Sequence, residues 1–106
     1  MKYLYNITNN VSEKIHDQWL SWMRKTHIPA MLATGKFSRA TLVQVSINEE
    51  MGGITYATQY KCESAELLKD FYREHAPKLN KEVVTKFADQ VMIFGTELKI
   101  IEEFKI

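Results

Sequence analysis

Twice along this chain a helix patterned for burial on one side runs into a His-x-Pro step, and each time it lies between β-rich stretches. The first is opened by Ser12 and sets Ile15, Trp19, Trp22 and Met23 at helical spacing among polar Glu13, Lys14, Asp17, Ser21 and Lys25 before meeting His27-Ile28-Pro29. The second is opened by Ser64 and sets Leu67, Leu68, Phe71 and Tyr72 against Lys69, Asp70, Arg73 and Glu74 before meeting His75-Ala76-Pro77. A proline pushes the residue before it out of the α region, yet itself suits a helix's first turn. Each helix is therefore expected to stop near its histidine and restart, over Pro29 to Thr34 and again where Leu79, Val83 and Phe87 recur. The shift that carries His27 onto His75 also carries Leu20 onto Leu68, Met23 onto Phe71 and Met31 onto Leu79, as a duplicated unit would.

The strands complete the pattern. Lys2 to about Asn10 alternates as a first strand, and Gly35 stands where a left-handed helix cap is expected. Phe37 to Asn48 reads as a second strand, Glu49-Glu50-Met51-Gly52-Gly53 as a hairpin turn, Ile54 to Tyr60 as a third strand and Val91 to about Phe104 as the last. This order predicts an α+β fold of ferredoxin-like βαββαβ type. A four-stranded antiparallel sheet would carry both helical crossovers on one face. With 106 residues, 45% hydrophobic and 25% charged, residues 1–106 are expected to form a single domain. A chain of this size buries roughly two thirds of its unfolded surface and needs no covalent staple.

Cys62 is the lone cysteine and cannot close an internal disulfide, which suits a reducing compartment. The amino terminus soon turns polar, and no run approaches the roughly 20 apolar residues that span a bilayer. A cytoplasmic location without membrane contact is expected. Fourteen basic against thirteen acidic residues leave a net charge of +1 and no basic tract, so nucleic acid is not an expected partner. Glu49-Glu50 and Glu102-Glu103 read as solvated turns or strand ends.

With both helices on one face, the other face must meet water or a second layer. Its residues are not those of a solvated surface. Val43, Val45 and Ile47 alternate in the second strand, and the fourth is apolar on both sides, with Met92, Phe94, Leu98 and Ile100 against Val91, Ile93 and Ile101. With no spare element to cover it, a second copy packed sheet to sheet is the expected partner. Asn6, Gln44 and Gln59 interrupt these strands and need hydrogen-bond partners once buried: a neighbour, trapped water or a ligand.

Among titratable groups, His27 is the candidate acid or base, being a histidine at a helix end. A histidine in a last turn also favours the negative end of the helix dipole, which accounts for His27 and His75 without a substrate. His16 and Cys62 show no ligand spacing to these two, so no metal site is expected; no phosphate-binding loop or cofactor motif is present either. Cys62 reads as an inert thiol, and Trp19 and Trp22 as core residues that could also stack on a flat ligand.

Tyr5-Asn6-Ile7-Thr8, Trp19-Leu20-Ser21-Trp22-Met23, His27-Ile28-Pro29, Thr34-Gly35-Lys36-Phe37, Thr55-Tyr56 with Gln59-Tyr60, and Ala76-Pro77-Lys78-Leu79 together resemble an uncharacterised bacterial family, domain of unknown function 4286. The likeness spans nearly the whole chain. It implies the dimeric α/β-barrel superfamily, in which two ferredoxin-like protomers pack their sheets into one barrel. The tryptophan followed by His-x-Pro is similar to the EthD-like branch, whose relatives include cofactor-independent monooxygenases and heme-dependent enzymes. The expected function is a homodimeric binding or regulatory module with a small-molecule cavity for an apolar or aromatic ligand. One alternative is an oxidative enzyme using His27, with Trp22 and Tyr5 shaping its pocket. Another is a purely structural dimer. The candidate ligand-binding residues are Tyr5, Asn6, Trp22, Gln44, Gln59 and His75, with His27 as the candidate catalytic residue.

Overall fold

The computed structural model describes residues 1–46 and 52–106, so the expected hairpin turn at 49–51 and the far end of the second strand lie outside the described residues. The elements are β1 (Tyr3–Val11), α1 (His16–Trp22), a π-helical turn (Met23–His27), α2 (Ile28–Ala33), β2 (Arg39–Gln44), β3 (Ile54–Cys62), α3 (Ala65–Glu74), α4 (Ala76–Phe87) and β4 (Val91–Lys99). The strands form one antiparallel sheet in the order β2-β3-β1-β4, which is the ferredoxin-like order.

Local chemistry accounts for the element ends. Ser12 Oγ accepts from the Lys14 N–H, opening a 3₁₀ turn that leads into α1, and Ser64 Oγ accepts from the Leu67 N–H at the start of α3. Gly35, at φ 76°, closes α2 with its N–H on the Leu32 carbonyl. Gly53, at φ 78°, lies so close to β1 that a Cβ there would stand 2.6 Å from Asn10 Oδ1.

The two His-x-Pro steps behave differently. The first helix does not stop at His27: Trp22, His27 and Ile28 all keep helical backbone angles, and the Ile28 N–H bonds to the Met23 carbonyl five residues back. Pro29 cannot donate to the Lys25 carbonyl, and its ring would press against it; the widened turn takes up that conflict without ending the helix. At the second step His75 leaves the helical region, at φ −126° and ψ −35°, and a new helix starts at Ala76 with Pro77 in its first turn. The last strand is shorter than its apolar run suggested. It ends at Lys99, the Ile100 N–H makes one more bond to the Lys2 carbonyl, and residues 101–106 lie exposed beyond the sheet.

The helices cover one sheet face, and the core beneath them has two parts. Met31, Phe37, Tyr60, Cys62, Leu68, Phe71, Ala76 and Leu79 form one cluster. Val11, Trp19, Met23, Tyr56, Val83, Phe87 and Val91 form the other, and Ile28 packs against both. No described helix is long and apolar enough to cross a membrane.

Candidate functional site

Between the two clusters runs a polar seam. Asn9 sits between Ile7 and Val11 on the inward side of β1, Thr58 between Tyr56 and Tyr60 on β3, and His27 between Met23 and Met31 on the first helix. All three are buried. Asn9 Oδ1, His27 Nδ1 and Thr58 Oγ1, with Trp19 Nε1 and Tyr60 OH from the flanking clusters, find no hydrogen-bond partner among the described protein atoms. An enclosed polar atom left unpaired costs about 1–3 kcal/mol, so five in one layer is an expensive arrangement for a core that has only packing to do.

His27 is 5% exposed and stacks on Trp22, with ring centroids 5.0 Å apart at 23°. The oxidative-enzyme alternative requires an accessible imidazole, and the position given to His27 is an enclosed one. Burial lowers its pKa, a pull that the Glu82 carboxylate partly opposes. The imidazole is thus held neutral. In front of Trp22 lies a groove of about 660 Å³ between the first helix and α4, walled by Thr26, Glu82 and Thr85 with Lys78, Lys81 and Lys86 at its rim. Lys78 and Glu82 continue into a smaller hollow beside His75. Trp22 and His75 therefore border two neighbouring hollows that share Lys78 and Glu82, with His27 stacked against Trp22.

Because His27 is protonated more readily in the unfolded chain, near pH 6.5, than in the fold, the unfolding free energy is expected to fall as pH drops through 6.5. Urea titrations at intervals from about pH 7.5 to 5.5, above the carboxylate range, should show this slope. In His27→Gln the slope should flatten; an unchanged slope would mean that the imidazole is not shielded.

The remaining candidates separate. Tyr5 faces the helices, packed among Phe37, Phe71 and Tyr72, and burial, helped by Glu97, raises its phenol pKa. Tyr72 is pushed up to about 12, chiefly by burial. Gln44 lies exposed on the edge strand β2, paired in register with Tyr56. Cys62 is buried, its thiol donating to the Ser64 carbonyl, and burial raises its pKa, the condition of an unreactive thiol.

Asn6 and Gln59 come together on the face away from the helices. Register alignment resolves that face into four rows across β2, β3, β1 and β4: Arg39, Lys61, Leu4, Leu98; then Thr41, Gln59, Asn6, Thr96; then Val43, Ala57, Thr8, Phe94; then Val45, Thr55, Asn10, Met92. The second row is a polar belt across the whole sheet, in which Asn6 Nδ2 donates to Thr8 Oγ1 at 3.4 Å while Asn6 Oδ1 is enclosed without a partner. The third and fourth rows are apolar at both edges, with Met92 71% and Phe94 69% exposed.

Asn9, Thr58, Tyr60 and Lys61 are absent from the sequence-derived candidates. Each stands in a strand whose alternation is plain, but which side is inward follows from pairing register. The one available signal was the placement of polar residues midway along strands that are otherwise apolar on the same side.

The fold recurs in solved structures of low identity. It is similar to a dimeric ferredoxin-like protein from an uncultured marine organism, with a TM-score of 0.75 at 9% identity over 97% of this chain and 98% of that one. It is similar to an ethyl tert-butyl ether D (EthD) family protein from Bacillus halodurans C-125, with a TM-score of 0.69 at 13% identity over 93% and 99%. It is also similar to the hydroxynitrile lyase of Passiflora edulis, with a TM-score of 0.59 at 16% identity over 97% of both chains. At such identities the likeness shows the fold alone. No curated protein sequence matches the chain. A family profile covers residues 2–101, and by that match the chain belongs to the family described as Domain of unknown function (DUF4286).

Proposed function

We propose that the protein is a cytoplasmic homodimeric binding module that holds a small, partly apolar molecule between its helices and its sheet. The observation that carries this reading is the polar seam. Unpaired hydrogen-bonding atoms of Asn9, His27 and Thr58 lie between two apolar clusters, with those of Trp19 and Tyr60 in the clusters on either side, and a molecule with an apolar body and one or two polar groups would satisfy several of them. The groove beside Trp22 is the entry route, because displacing the Trp22 ring uncovers His27. The neutral imidazole, together with Thr58 and Tyr60, offers both donors and acceptors. The dimer half of the proposal rests on the exposed apolar rows of the face away from the helices, and is supported by a neighbour of the same fold described as a dimeric ferredoxin-like protein.

Thr58→Val and Tyr60→Phe test the seam through a sign that ordinary core mutants do not give. Each removes an unpaired polar atom while keeping its shape, so each should raise the unfolding free energy of the ligand-free protein by about 1 kcal/mol. Both should also abolish stabilisation by small aromatic probes such as phenol, benzaldehyde and indole in a thermal-shift assay. If the unaltered protein is stabilised by none of these probes, or if both variants respond as it does, the seam does not bind such molecules.

A further inference from the structure

Lys61 is the last residue but one of β3 and lies on the face away from the helices, with its side chain only 11% exposed. Directly opposite stands Arg39 of β2, and like charges facing each other across a ladder repel. An ammonium so far withdrawn from water needs an anion. Among the described residues its ion-pair partner comes from outside the sheet: Glu103, on the segment beyond β4, accepts a hydrogen bond from Lys61 Nζ at 2.8 Å. Hydrogen bonding and attraction from Lys61, with smaller contributions from Lys2 and Arg39, hold the Glu103 carboxyl below the usual carboxylate range. Arg39 forms no ion pair among the described residues, and the groove is lined by three cations, Arg39, Lys61 and Lys99, against two carboxylates, Glu102 and Glu103.

Glu103 is the loosely held half of this pair. Its side chain is 55% exposed, its segment has no regular structure, and Ile101 and Phe104 on either side are each 82% exposed. Beneath that segment is a cavity of about 440 Å³, large enough for a small organic molecule. Thr41 and Gln59 of the polar belt line it, and Leu4, Leu98 and Ile101 give it an apolar side. It occupies the end of the face away from Met92 and Phe94, and it is separate from the seam beneath the helices.

We propose that this groove binds a small organic carboxylate with an apolar tail, whose carboxylate replaces that of Glu103 on Lys61 and engages the free Arg39 guanidinium. The planar fork of Arg39 suits a carboxylate, and the leucine side suits a short alkyl or aryl chain. Glu103 then acts as a resident competitor that keeps Lys61 paired when the groove holds no ligand.

Hexanoate is the probe, with 1-hexanol and inorganic phosphate as controls, followed by calorimetry and by backbone amide shifts. The unaltered protein should bind hexanoate, with shifts centred on Thr41, Gln59 and Lys61 and not on Asn9 and Thr58, which report the seam. Glu103→Gln should tighten binding about tenfold by removing the competitor, Arg39→Gln should weaken it about tenfold, and Lys61→Met should abolish it. Arg39 is exposed, so its variant keeps the test decisive even where Lys61→Met fails to fold. Glu103→Gln binding no tighter than the unaltered protein would overturn the proposal. Equal binding of 1-hexanol or of phosphate, or affinity indifferent to Arg39→Gln, would overturn it as well.

Discussion

Phe94→Asp is expected to leave the protomer folded and to raise the dimer dissociation constant by at least about a thousandfold, equivalent to roughly 4 kcal/mol. Phe94 is 69% exposed and sits on the edge strand β4, so within a single protomer the substitution costs at most about 1 kcal/mol of strand preference. In the dimer the balance differs. In the proposed dimer a two-fold axis places the change twice in the interface, removing two aromatic anchors and setting two carboxylates on a face whose other exposed apolar side chains are Val43, Val45 and Met92. An unpaired charge in such a setting costs several kcal/mol. Aspartate is too short to carry its charge out to water, which a lysine at this edge could do. Sedimentation equilibrium from about 1 to 300 μM reads the result, with far-ultraviolet circular dichroism confirming the fold. An unaltered protein that is monomeric throughout that range, or a variant that dimerises as tightly, would end the sheet-to-sheet proposal.

The fold was legible because its signals are local. Two amphipathic helices with serine caps, four β-rich stretches and glycines at the turns leave little freedom once crossover handedness is applied. The apolar open face was also legible, since Met92, Phe94 and Leu98 fall on one side of the strand. The His-x-Pro steps show where such reasoning stops. Both carry the same residue signal, yet Pro29 is absorbed by a widened turn while Pro77 follows a break, so the tripeptide alone does not decide between the two. The end of β4 is similar. Its apolar run continues to Ile101, but β1 begins at Tyr3, so after the bond from Ile100 to Lys2 there is no strand left to pair with.

The candidate residues were harder to read for the same reason. Asn6, Gln44 and Gln59 look alike as polar interruptions, but register sets Asn6 and Gln59 side by side on the open face and leaves Gln44 at an exposed edge. The two polar features are assembled from separate elements: the Asn9, Thr58 and His27 seam under the helices, and the Arg39, Lys61 and Glu103 corner on the opposite face. Neither has a linear motif. A one-residue slip in β3 would exchange Thr58 and Lys61 for neighbours facing the other way and dissolve both.

Phe71→Ala should cost about 3–5 kcal/mol, a large part of the 5–15 kcal/mol that a domain of this kind has in total. Phe71 is 1% exposed and touches Phe37 at 4.9 Å, Tyr5 at 5.8 Å and Tyr72 at 6.0 Å between ring centroids, so its removal strands a cluster of rings that cannot collapse onto one another. Dimerisation would make any such measurement depend on concentration, so the comparison belongs in the Phe94→Asp background, where the protomer unfolds alone. There the urea midpoint should fall while the m-value stays constant, and the melting temperature should drop by about 12–40 °C. The effect should reach the seam as well, because Tyr60 lies in the same cluster and is in ring contact with Phe37. A loss below about 1 kcal/mol would mean that this half of the core is loosely packed, and then the unpaired atoms beside it would be reached by water and would need no ligand to explain them.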